Sequence, residues 1–223
     1  MSGWRDSLQY HCVTKRWRHL TVWLHVLTSV GWMAQAMALC VLLSVGYGSD
    51  VSVRSAATSM AHVLDGRLLG PMADASAFTG IMLAAATPWG FFRNWWVLIK
   101  FVITLVQLYL GIFLLSPALT ESLTAGPSRV QIAGSGLMAS AIAFQGWLSV
   151  AKPWGKVRAH HRAPVGTGPR WIFVATVGGG LADLAFALAI GHPMPLLSLT
   201  LLVIGLIRRP RWVNGRTARA AVP

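Results

Sequence analysis

Acidic residues are nearly missing from this chain: Asp and Glu together number six in 223 positions, against 19 Lys and Arg. So few carboxylates leave little material for paired acid–base catalysis. Cysteine is equally scarce, with only Cys12 and Cys40 and no CxxC. The topology argued below puts those two on opposite sides of a membrane, where they cannot form an intrachain disulfide. Charged residues make up 11% of the chain, whereas a soluble domain carries about 25%. No phosphate-binding loop, nucleophile elbow or HExxH metal motif is present. An enzyme is therefore not expected.

What the chain has is apolar length. Hydrophobic residues make up 55% of it, and the mean hydropathy is +0.58. The formal net charge is +13, but no polar stretch is long enough to fold into a nucleic-acid reader. The basic residues are expected to face anionic lipid headgroups instead, with no nucleic-acid partner.

Apolar runs at 20–45, 68–87, 95–115, 130–150, 171–190 and 195–207 read as candidate spans. The fold class expected is all-α, a polytopic transmembrane helical bundle of about six spans. The first run is too long for a signal-peptide core and no small-residue cleavage site follows it, so an uncleaved anchor is expected. Gly191-His192-Pro193-Met194-Pro195 breaks the chain between the last two runs, which then form a hairpin. Residues 1–19 form a basic N-terminal segment, 20–207 a single membrane domain, and 208–223 a basic tail.

The basic residues test this count. With the N-terminus inside, sixteen Lys and Arg fall on the cytoplasmic side. Only Arg54, Arg67 and Arg129 fall outside. Such an imbalance follows the positive-inside rule and sets both termini in the cytoplasm, as for a multi-pass plasma-membrane protein. Removing the short sixth span would export the five tail arginines. Trp17, Trp89, Trp95, Trp96, Trp154 and Trp171 are among the indoles near the expected inner interfaces, where an amphipathic ring is at home. Lys100, about one turn into the third run, can snorkel to the same level. Residues 58–70 read as an amphipathic approach to the second span, with Pro71 in that span's first turn.

Two inner turns share a pattern. Pro88-Trp89-Gly90 leads to Arg93, and Pro153-Trp154-Gly155 leads to Arg158. In both, Pro and Gly stop a helix, Trp anchors at the headgroups and Arg holds the inner face. Two readings stay open: convergent helix stops, or a weak internal repeat of two hairpins.

The stretch Thr87-Pro88-Trp89-Gly90-Phe91-Phe92-Arg93-Asn94-Trp95-Trp96-Val97-Leu98-Ile99-Lys100 resembles a family of uncharacterised integral membrane proteins from actinobacteria, marked by TPWGLFRxYWVLxK. Ser149-Val150-Ala151-Lys152-Pro153-Trp154-Gly155 resembles the family's SVYKPWG, with Ala151 in place of Tyr. The resemblance covers roughly residues 20–155. It implies a plasma-membrane helical bundle and carries over no catalytic residue. A looser similarity to copper-resistance-type membrane proteins rests on Trp23-Leu24-His25 and Gly31-Trp32.

Polar residues inside the spans are the candidate site. His25, Thr28, Trp32 and Gln35 form one stripe, and Lys100, Thr104, Gln107 and Gly111 another. Asp74 lies in the outer part of the second span. Asp183 shares a face with Gly179 and Gly180, where a neighbouring helix is expected to approach closely. For the Gln residues, interhelical hydrogen bonding is the expected role. An intramembrane carboxyl is costly, so Asp183 also supports an ion- or proton-linked role.

Two cofactor alternatives follow. Haem would need His25 with His160 or His161, because His62 and His192 lie at the outer edge. Copper would draw on Met60, His62, Met72, His192 and Met194, since thioether and imidazole suit Cu(I). The leading expectation is a structural, accessory or partner-binding membrane subunit without a cofactor, its partner being another membrane protein or a second copy. A small transporter using Asp183 and Asp74 is the alternative.

Overall fold

The computed structural model describes residues 2–157, 167–190, 196–205 and 207, with side chains from residue 15 onward. Arg158, His160, His161, His192, Met194 and the tail from residue 208 lie outside the described residues, as does the Cys12 side chain. The described chain is helical, with no strand beyond a single bridge between Asn94 and Lys156. Six continuous helices follow one another: α1 Ser2–Gly46, α2 Val51–Ala86, α3 Trp95–Ala125, α4 Arg129–Ala151, α5 Arg170–Ile190 and α6 Leu196–Gly205.

Four of these helices are long and apolar enough to cross a membrane: α1 over Lys15–Gly46, α2, α3 and α5. The 23 residues of α4 reach about 34 Å, also a bilayer's width, but with a more polar sequence. The α6 helix is different. At a rise of about 1.5 Å per residue it spans about half of a hydrocarbon core.

Three of the expected spans are much longer as helices: α1 runs back to Ser2 through the basic segment 1–19, and the second and third runs continue through prolines. Residues 58–70 do not lead up to a separate membrane helix; they belong to the unbroken α2. Pro71 does not start that helix but follows a π-turn at Asp65–Leu69 within it. The third run likewise extends to Ala125, with a π-turn at Gly111–Leu115 just before Pro117. The reason is shared by these two. Proline lacks the N–H for an ordinary helical turn and its ring crowds the carbonyl four residues back. A wider turn, in which Gly70 N–H bonds Asp65 O and Ser116 N–H bonds Gly111 O, opens the helix at that point.

Helix ends are sealed locally. The Asp50 carboxylate accepts from Val53 N–H at 2.9 Å, and that bond holds its pKa below the ordinary carboxylate value. Ser128 and Gln131 form a reciprocal capping box at the start of α4.

Sequence neighbours pack antiparallel, except that α5 packs on α2 and α1 rather than on α4. Along α1 and α2, Gly46 meets Ala57, Gly31 meets Met72, and Gly80 meets His25. α4 returns along α1, with Trp32 and Ile142 in one buried cluster. α5 packs on α2 through Phe78, Met82, Ile172 and Phe173. Gly179 and Gly180 are the close-approach points of α5, against Leu201 of α6 and Phe78 of α2. Much of the remaining surface is apolar and exposed, including Val41, Phe113, Leu137 and Val150.

Candidate functional site

The two Pro-Trp-Gly turns, far apart in sequence, meet at one end of the bundle. Val157 N–H donates to Arg93 O at 3.0 Å and Trp95 N–H to Gly155 O at 3.4 Å. Asn94 adds a bond from Nδ2 to Trp89 O at 2.7 Å. The shared letters do not give a shared backbone. In the first turn Gly90 takes the left-handed conformation, at φ 60°. In the second, Lys152 and Trp154 take it, at 45° and 56°, while Gly155 does not.

Basic residues divide between the two ends. Arg93, Lys152 and Lys156 belong to the paired turns. Arg54 and Arg129 cluster at the other end, where Arg54 donates to Ser49 O and Arg129 to the Tyr47 hydroxyl.

Above the paired turns lies a cavity of about 720 Å³ between α1, α2, α3 and α4. α1 and α3 meet farther along, where Met33 packs in one cluster with Leu108 and in another with Leu110, and beside the cavity the space between them is walled by α2 and α4. One wall carries His25. Its Nδ1 lies 3.0 Å from Ser76 O and 3.2 Å from Thr79 Oγ1. A carbonyl only accepts, so this geometry assigns a proton to Nδ1; in the neutral imidazole Nε2 is then an acceptor, without a partner among the described residues. Ser29 and Ser76 join hydroxyls at 2.7 Å on the same wall. Gly80 is required there, because a Cβ would lie 2.8 Å from His25 Cε1.

The facing wall carries Lys100, whose ammonium donates to Ser149 Oγ at 2.6 Å rather than snorkelling free. Thr104 Oγ1 donates to Gln145 Oε1 at 3.0 Å. Gln145 Nε2 donates to Gln107 Oε1, and Gln107 Nε2 donates to Met138 O at 3.0 Å. His25, Lys100, Thr104, Gln145 and Ser149 thus line one space. Trp89, Phe91, Trp96 and Phe101 line its part nearer the paired turns.

The other sequence-nominated residues do not join it. Gln107 is buried and engaged with α4. Gln35 lies outside the cavity, with its Oε1 buried and without a hydrogen bond among the described residues. Asp183 accepts Leu197 N–H at 3.2 Å and Ser198 N–H at 2.6 Å, capping the start of α6. Asp74 accepts no hydrogen bond among the described residues and lies within electrostatic reach of Asp183. Met72 packs on Gly31, beside Trp32 and Ile142. Met60 and His62 sit on an exposed face of α2. Among the described residues, no three His, Cys, Asp or Glu side chains converge as a metal site.

Ser29, Ser76, Gln145 and Ser149 were not singled out from sequence. A Gln in the fourth apolar run was the available signal, since it carries the same desolvation cost as Gln35 and Gln107. No protein-family model, curated protein or solved structure matches the chain.

Proposed function

We propose that this chain is a plasma-membrane protein of about six spans, the short α6 among them, with both termini cytoplasmic, that acts as an accessory or partner-binding subunit rather than an enzyme. One observation carries the reading: the membrane-embedded polar groups are mostly spent on joining helices. Asp183, the strongest transport candidate by sequence, caps α6 with both carboxylate oxygens. Gln107, Gln145 and Thr104 tie α3 to α4. The separation of Arg54 and Arg129 from Arg93, Lys152 and Lys156 supports the orientation.

Two measurements test it. In a background with Cys12→Ser and Cys40→Ser, an impermeant maleimide should label Ser49→Cys but not Thr217→Cys in intact cells. Purification from native membranes should bring down a stoichiometric membrane-protein partner or a second copy. Labelling of the tail cysteine would overturn the topology, and a protein isolated strictly alone would overturn the accessory role.

A second reading, ion or proton handling, is favoured by the Asp74–Asp183 proximity and the absence of a hydrogen bond to Asp74 among the described residues. Flux through reconstituted vesicles that disappears in Asp74→Asn, in a protein that still folds, would establish it.

A further inference from the structure

The geometry points to the cavity between α1 and α3 as a binding site for one acidic lipid, its phosphate or carboxylate on Lys100 and its chain along the apolar walls. The leaflet assigned, the cytoplasmic one, rests on the topology proposed above; the binding itself does not.

Charge supplies the first argument. Lys100 lies on a membrane-crossing helix and has no acidic partner among the described residues; its one hydrogen bond is to a neutral hydroxyl. Lys152 lines the same cavity nearer its inner end. Of the six acidic residues, Asp50, Asp65, Asp74, Glu121 and Asp183 form no ion pair with Lys100, and the side chain of Asp6 lies outside the described residues. An ammonium held in an apolar surrounding is stabilised only by a counter-charge or hydrogen bonds. The protein provides one such bond, leaving two N–H groups to a ligand.

Shape supplies the second. The volume lies within the roughly 300–1,000 Å³ of small-molecule sites. Val26, Val30 and Val150 line the cavity and are also exposed on the sides of α1 and α4, so it opens sideways toward the surrounding hydrocarbon. A ligand with an acidic head and an apolar chain matches both a polar inner end and a lateral opening. The neutral acceptor Nε2 of His25 suits a protonated headgroup oxygen or a glycerol hydroxyl.

The test uses the full chain in mild detergent and native mass spectrometry, with added phosphatidylglycerol, phosphatidylcholine or oleate. One acidic lipid per protein should persist, and phosphatidylcholine should not. Preference between phosphatidylglycerol and oleate identifies the head as phosphate or carboxylate. Lys100→Gln should weaken retention by about tenfold, the worth of one charge-assisted contact. Lys156→Gln, outside the cavity, should leave it unchanged. Gly146→Leu provides a variant independent of charge. Gly146 lines the cavity and a Cβ there meets nothing within 4 Å, so a leucine at this position should take up space the lipid would fill.

Equal retention of phosphatidylcholine, equal loss in Lys100→Gln and Lys156→Gln, or full binding by Gly146→Leu would each overturn the site. A Soret band in the purified protein that vanishes with His25→Ala would also overturn it, placing haem there instead. The maleimide result reports on topology alone, so its failure is distinct from failure of the lipid site.

Discussion

Ser116 donates its hydroxyl to Asp65 at 3.0 Å, joining the two π-turns of the bundle. Asp65 is the first residue of the turn in α2, and Ser116 directly follows the turn in α3. Each turn precedes a proline by one residue, at Pro71 and Pro117. Ser116→Ala should destabilise the protein by about 0.6–1.7 kcal/mol, the range of interhelical hydrogen bonds in a membrane bundle. Asp65→Asn keeps an acceptor and should lose less. Reversible unfolding in mixed micelles measures both, and equal losses would show that the charge rather than the bond matters.

The Thr104–Gln145–Gln107 chain should behave as one unit. Gln107→Leu strands the Gln145 amide, and Gln145→Leu strands Thr104 and the Gln107 carbonyl. Each single change should cost about 1–2 kcal/mol, and the double change clearly less than their sum. Additive losses in the same unfolding assay would mean that the two glutamines act independently.

Asp183 should report its role through two amides. Asp183→Ala removes both acceptors of the α6 cap, while Asp183→Asn keeps a single carbonyl oxygen. Hydrogen exchange at Leu197 and Ser198 should therefore accelerate in Ala and rise less in Asn. Unchanged exchange in both variants would remove the capping role and return Asp183 to the transport reading.

Lys152 offers a variant in which stability and ligand retention move in opposite directions. It ends α4 in the left-handed conformation, which glycine adopts without steric cost. Lys152→Gly should stabilise the fold by about 1 kcal/mol. It also removes a cation from the cavity, so acidic-lipid retention should fall while the melting temperature rises. A lower melting temperature would mean that the lysine side chain outweighs its backbone strain.

Much of the helical plan was legible in the residues. The runs 130–150 and 171–190 coincide within a residue or so with α4 and α5, because turn chemistry at Ser128, Lys152-Pro153 and the basic Arg170 marks their ends. Boundaries failed where Pro71 was read as a helix start and where the third run was ended at Leu115. Pro71 and Pro117 sit inside continuous helices, since a π-turn relieves the clash that would otherwise stop them. The site was half legible. His25 and Lys100 stood out as polar groups in apolar runs, but helical periodicity gives a residue's face on its own helix and not the helix opposite it.

Composition and charge by themselves determined that the chain is an apolar, helix-forming polypeptide with basic residues concentrated beside its apolar runs. Those are local properties of hydrophobic length and charge position. The tertiary structure decided what each polar residue does. It directed Asp183 to the amides of α6, paired the two Pro-Trp-Gly turns through Arg93 and Val157, and set His25 and Lys100 around one cavity. The physical reason is that an intramembrane polar group must find a partner, and which partner it finds depends on how separate helices pack.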